Sequence, residues 1–94
     1  MTPEARVKNA IKTYLKGIGA WVYMPVPMGF GGSSVDFFVC FNGRFYAIEA
    51  KAEVGGKVTK RQEDTLQAIA LAGGGVCIEN RADCYNVKQM LGML

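Results

Sequence analysis

Asp36, Glu49 and Lys51 are the residues of this 94-residue chain whose types and spacing could carry chemistry. They flank Asn42-Gly43, a strong signal for a two-residue β-hairpin, because both turn residues must accept positive φ. Such a turn pairs Phe41 with Arg44, and the same register carried to the hairpin's open end places Asp36 opposite Glu49. Cross-strand neighbours have Cβ atoms roughly 5 Å apart, so two like charges there repel. Lys51, two residues beyond Glu49, falls on the same face and brings one ammonium. A hard divalent cation bridging the carboxylate oxygens would complete the neutralisation. Mg²⁺ takes one or two protein carboxylates and keeps waters that a substrate phosphate can displace. The bland reading is a solvated strand whose acids and lysine form surface ion pairs worth about 0–1 kcal/mol. Phe37, Phe38, Ala47 and Ile48 surround the charges and weigh against it, since unpaired charge at the end of a buried hairpin is expensive.

Composition narrows the chemistry further. The chain has no histidine, which excludes Ser-His and Cys-His nucleophiles, imidazole bases and histidine-ligated zinc. Acid-base work must fall to Asp, Glu, Lys, Tyr or a metal-bound water. Cys40, Cys77 and Cys84 form no CxxC pair and are odd in number, so free thiols in a reducing compartment are expected. The first residues carry charge and no apolar run, and the stretch from Ala20 to Phe30 is too short and too rich in proline to span a bilayer. These features predict a cytoplasmic protein with no membrane span. Half the residues are apolar and the length suits one domain over residues 1–94.

The elements that must position Asp36 and Glu49 are legible as well. Thr2 and Pro3 open a helix to about Lys16 or Ile18, with Val7, Ile11 and Leu15 on one stripe. Ala20 to Met24 reads as a buried strand, 25–34 as a loop, and Val35 to Phe41 with Arg44 to Lys51 as the hairpin. Both faces of the hairpin carry apolar side chains, Phe37, Val39 and Ile48 on one and Phe38, Cys40 and Phe45 on the other, which predicts helices on both sides. Thr59 with Gln62 makes a capping box for a helix to about Ala72. A last strand, Val76 to Glu79, precedes a closing helix with Asn80 and Asp83 as candidate caps.

Several further residues invite a functional reading beside an ordinary one. Glu4 extends the apolar stripe of the first helix, and an acid in a first turn is also favoured by the helix dipole alone. Gln62 completes the capping box, and it also heads the stripe with Leu66 and Ile69 that packs on the sheet. Lys8, Lys12 and Lys16 recur every fourth residue and form a ridge that could contact phosphates or simply stay solvated. Ser33 and Ser34 of the Gly-rich loop, with Lys57 and Lys60, are further candidate nucleic-acid contacts. The loop lacks the Gly-Lys-Ser/Thr of a phosphate-binding P-loop, so a nucleotide-binding regulator is the weakest reading.

Taken together, Glu4 in the first helix, Asp36-Phe37 after a Gly-rich loop, Glu49-Ala50-Lys51 on the next strand and Thr59-x-x-Gln62 opening the next helix resemble the PD-(D/E)XK nuclease superfamily. Within it, the chain is most similar to the small virus-type replication and repair nuclease (VRR-NUC) domains, over nearly its whole length. One departure is Val35, where many relatives have Pro before the Asp. The resemblance implies an α/β fold with a mixed sheet, a restriction-endonuclease-like core in the order αβββαβα, its central sheet flanked by helices. It implies a Mg²⁺- or Mn²⁺-dependent DNA endonuclease in which Asp36, Glu49 and the Ala50 carbonyl bind the ion. Glu4 would reach the metal, Lys51 would orient or activate water, and Gln62 would support the site. Branched DNA such as a four-way junction, cut by a homodimer, is the expected partner, with Trp21, Met24, Met28, Phe30, Met90, Met93 and Leu94 as candidates for a two-fold patch. The different-class alternative is a non-catalytic nucleic-acid-binding module.

Overall fold

The computed structural model describes residues 1–26 and 35–94. Met28, Phe30, Ser33 and Ser34, with the glycines between, lie outside the described residues. The first helix, α1 (Pro3–Gly17), starts where expected: the Thr2 hydroxyl accepts the Ala5 N–H at 3.1 Å, and Pro3 sits where a missing N–H costs nothing. It ends in a Schellman turn. Gly19 takes φ +78°, its N–H donates to the Lys16 carbonyl, and the Ala20 N–H donates to the Leu15 carbonyl.

After α1 come β1 (Trp21–Tyr23), β2 (Phe37–Phe41), β3 (Arg44–Ala50), α2 (Lys60–Leu71), β4 (Gly75–Glu79) and α3 (Tyr85–Met90). The protein is a small α+β protein with a four-stranded mixed sheet and three helices. The sheet order is β1-β2-β3-β4, with β1 to β3 antiparallel and β4 parallel to β3. Asn42 (φ 54°) and Gly43 (φ 80°) both take the left-handed conformation of a type I′ turn, and the ladder runs from Phe41–Arg44 to Phe37–Ile48 in the predicted register. Gly75 begins β4 because a Cβ there would lie 2.5 Å from the Tyr46 ring.

Two hydrophobic layers enclose the sheet unequally. Val7, Ile11 and Leu15 of α1 and Val87 of α3 bury Phe37, Val39, Tyr46 and Ile48 on one side. On the other, Leu66 of α2 packs with Val35 and Ala47. The expectation that both hairpin faces are covered therefore holds only in part: Cys40 and Phe45 are exposed, because the 12-residue α2 packs on β3 and β4 and stops short of the sheet's other edge. The same geometry corrects the buried reading of β1. It is an edge strand with Val22 turned to the core and Trp21 and Tyr23 exposed.

The caps divide similarly. Thr59 and Gln62 form the full capping box on α2. The Asn80 and Asp83 expectation for α3 is only partly met: Cys84 occupies the N-cap at φ 57° with no side-chain cap, and Asp83 Oδ1 accepts the Tyr85 N–H at 3.1 Å. The deeper N–H, that of Val87, goes to Glu79 Oε1 at 2.9 Å. No helix among the described residues is long and apolar enough to cross a membrane.

Candidate active site

The hairpin ladder stops one rung short of Asp36, and the carboxylates take over from there. The Asp36 N–H donates to Glu49 Oε1 at 2.9 Å, and the Ala50 N–H donates to Asp36 Oδ2 at 2.9 Å. Each acid is thus clamped through one oxygen to the backbone of the opposite strand. This is a reciprocal lock rather than the face-to-face rung expected from register alone. Backbone N–H donors to a carboxylate are charge-assisted and hold it in a single orientation.

The second oxygen of each acid faces an ammonium. Lys51 Nζ lies 3.2 Å from Glu49 Oε2, and Lys8 Nζ lies 3.4 Å from Asp36 Oδ1. Lys51 follows the end of β3 directly and falls on the same side as Glu49, as expected. Lys8 comes from α1, and sequence reasoning had assigned it only to the phosphate-contacting ridge. Its signal was present in the stripe, since it follows the buried Val7 directly and α1 docks against β3.

Glu49 is 1% exposed. Its burial first, and then the neighbouring Asp36 carboxylate, push its carboxyl up from 4.5 to about 7 against the opposing pull of Lys51. Each acid thus has one ammonium, buried Lys51 or half-exposed Lys8, and the two oxygens they face are hard donors of the kind a divalent cation takes.

The other predicted residues fall into three groups. Ala50 is fully buried at the same end and contributes its N–H to the lock. Gln62 is buried, with Oε1 accepting the Thr59 N–H at 3.1 Å, so its carbonyl serves the capping box. Glu4 is exposed, one helical turn before Lys8, and among the described residues no three His, Cys, Asp or Glu side chains gather to hold a metal. The structure therefore brings together Asp36, Glu49 and Lys51 and leaves Glu4 outside that group.

Of the cationic candidates, Lys12, Lys16 and Lys57 are exposed, while Lys60 is paired with Asp64 at 2.6 Å. Of the residues expected to form a two-fold patch, Met28 and Phe30 lie outside the described residues, and Trp21, Met93 and Leu94 are exposed. Trp21 projects from the α2 side of β1, and Met24 and Met90 pack against the core. A cleft of about 580 Å³ lies between α2 and β4, lined by Val58, Leu66, Ala70, Val76 and Ile78, the last of these the rung partner of Glu49. Two of the cysteines are held as thiols: burial, reinforced by Glu79, pushes Cys77 up to about 12 and Cys84 up to about 11.

Glu79 escaped sequence reasoning altogether. It is fully buried, and its carboxylate accepts N–H groups from Arg81, Asn86 and Val87. The clue lay in its place at the end of the apolar run Val76-Cys77-Ile78, where alternation turns it inward with Cys77. The chain matches no family model and no curated protein.

Proposed function

We propose that this chain is a metal-dependent DNA endonuclease of the VRR-NUC kind. The observation that carries the reading is the reciprocal lock of Asp36 and Glu49, which leaves one oxygen of each acid turned toward ammonium groups and the Glu49 carboxyl raised to about 7. The order αβββαβα, with three antiparallel strands and a parallel fourth, supports the restriction-endonuclease-like core that the resemblance implies.

Asp36 and Glu49 would hold the ion through the oxygens now facing Lys8 and Lys51, with the Ala50 carbonyl as a further ligand and Glu4, outside the cluster, reaching it through water, as the resemblance implies. When bound, Mg²⁺ or Mn²⁺ supplies Lewis acidity toward a phosphodiester and a water of lowered pKa. The protein's own part is positioning. The backbone N–H groups of Asp36 and Ala50 fix the carboxylates before any ligand arrives, so little reorganisation is left for the reaction. Lys51, buried beside Glu49, keeps its ammonium where it can donate to the attacking water or a non-bridging phosphate oxygen. Lys8 and the exposed Lys12 and Lys16 on α1 would meet phosphates flanking the cut. Gln62 supports the site by fixing the start of α2. Paired cuts in a branched substrate such as a four-way junction require two such sites, so the reading includes a homodimer.

The test is cleavage of labelled branched DNA in Mg²⁺ or Mn²⁺, with Lys51→Ala alongside and light scattering on the same samples. We expect cuts that need the metal, a loss of about 10²–10³-fold in Lys51→Ala with DNA binding retained, and a mass near twice 10.2 kDa. DNA binding that is indifferent to metal, with no cleavage, would overturn the enzyme and leave a non-catalytic module. A mass near that of one chain would remove the dimer.

A further inference from the structure

Strand alternation places Trp21 and Tyr23 of β1, Phe38 and Cys40 of β2, and Phe45, Ala47 and Glu49 of β3 on the α2 side of the sheet, through the rungs Trp21–Cys40–Phe45 and Tyr23–Phe38–Ala47. Because α2 packs on β3 and β4, this side is open toward β1: Trp21 is 62% exposed, Tyr23 52% and Phe45 43%. The rings are ordered relative to one another. Tyr23 and Phe38 lie 6.4 Å apart and 13° from parallel, and Phe38 and Phe45 lie 5.9 Å apart at 22°. Three strands thus contribute one stacked aromatic row, with Trp21 beside it.

The size of the surface separates the candidate occupants. At roughly 150–250 Å² per aromatic side chain, the three exposed rings offer about 250–400 Å² of apolar area, the scale at which a patch marks an interaction site. A stable interface with a second copy needs about 800 Å² on each partner, well beyond this row. Unpaired nucleic-acid bases need far less, since every base has a π-face that stacks on an aromatic ring.

Charge and direction favour the same occupant. The exposed strand residues of this face, Trp21, Tyr23, Cys40 and Phe45, include no carboxylate to repel phosphate. A groove of about 640 Å³ runs along α2 from Lys60 and Arg61, past Asp64, which pairs with Lys60, to Ile69, and Ile69 and Phe45 both flank Gly74. Along β3 the same face runs from Phe45 to Ala47 and Glu49, about 13 Å in four residues, with Ala47 and Glu49 buried. The exposed row therefore ends on the same side of the sheet as the carboxylate lock and about that distance from it.

We infer that this aromatic row binds unpaired bases of a single-stranded nucleic acid and presents that strand to the carboxylate site. The second half of the inference rests on the hydrolase reading, and the first half does not. Trp21 is the chain's one tryptophan and reports from the platform itself. The experiment is a titration of its fluorescence with an oligothymidylate of about ten nucleotides, and with a duplex of equal length, in EDTA so that no metal-dependent cleavage can occur. The single strand should quench Trp21 saturably and more tightly than the duplex. Tyr23→Ala and Phe45→Ala should each weaken binding about 10-fold, while Tyr23→Phe binds like wild type. Both alanine changes are at exposed rings, and unchanged melting curves will show that the fold is intact. Absence of quenching, or wild-type affinity in both alanine variants, would overturn the platform. So would a dimer that forms without nucleic acid and is dissolved by Trp21→Ala, which would give the face to a second copy. A chain that binds single strands here yet never cuts with Mg²⁺ would sink the hydrolase reading alone.

Discussion

Glu49 and Glu79 end two neighbouring parallel strands, one residue apart in register, and both are buried. Their surroundings differ in kind. Glu79 points to the α3 side, where its two oxygens accept three N–H donors from the segment that follows, and nothing near it needs a further charge. Glu49 points to the α2 side, where it has one backbone N–H, one ammonium and a second carboxylate for company. A buried acid whose donors come from its own chain segment serves as a fixture of the fold. A buried acid set beside another acid is poised for something brought from outside. Burial alone does not identify a site; the donor list does.

The largest effect that would sharpen this comparison is expected at Glu79. Glu79→Ala strands the Arg81 and Val87 N–H groups and opens a void beneath α3, so urea unfolding should show a loss of about 3–5 kcal/mol. A loss below about 1 kcal/mol would put Glu79 in the same class as a surface residue and break the contrast.

Glu49 should behave in the opposite sense. Its carboxyl is raised from 4.5 to about 7 in the folded protein, so the fold holds a proton that the unfolded chain has released between those values. Stability of the metal-free protein must therefore fall as pH rises through that window, by about 3 kcal/mol from this group. Glu49→Gln should flatten the slope and raise the melting temperature at pH 7, while abolishing Mn²⁺ binding in calorimetry. A variant melting below wild type at neutral pH, or still binding Mn²⁺, would show that Glu49 is a fixture like Glu79.

Gln62 stands between the two classes and should give the smallest change. Gln62→Ala removes one side of the capping box, with an expected loss of about 0.5–2 kcal/mol in urea unfolding. Cleavage should fall only as far as that lost stability accounts for. A fall in cleavage of 10²-fold with unchanged stability would move Gln62 into the reacting centre.

What could be read beforehand follows the range of the interactions. The hairpin register, the Thr2 cap and the Thr59–Gln62 box are set within four residues of chain or by one turn, and all three are found as expected. The Lys8–Asp36 pair and the Glu79 network depend on how a helix docks on the sheet or how a loop folds back, which local patterns do not encode. Trp21 and Tyr23 read as buried because apolar strand residues usually are. That α2 leaves their face open is a matter of where one helix lies.

The two-residue turn at Asn42-Gly43 has a consequence for the order of folding. A tight hairpin closes from its turn outward on a microsecond scale, rung by rung, without waiting for distant chain. Asp36 and Glu49 sit at the far mouth of that zipper, beyond its last rung at Phe37–Ile48. Their mutual repulsion is therefore met late, after the nucleus has formed, and acts as a spring on the native state rather than a barrier to reaching it. Relieving it by Glu49→Gln should slow unfolding far more than it speeds folding, which the two arms of a chevron plot would separate. The electrostatic strain at this mouth thus comes at little kinetic expense to the protein's own assembly.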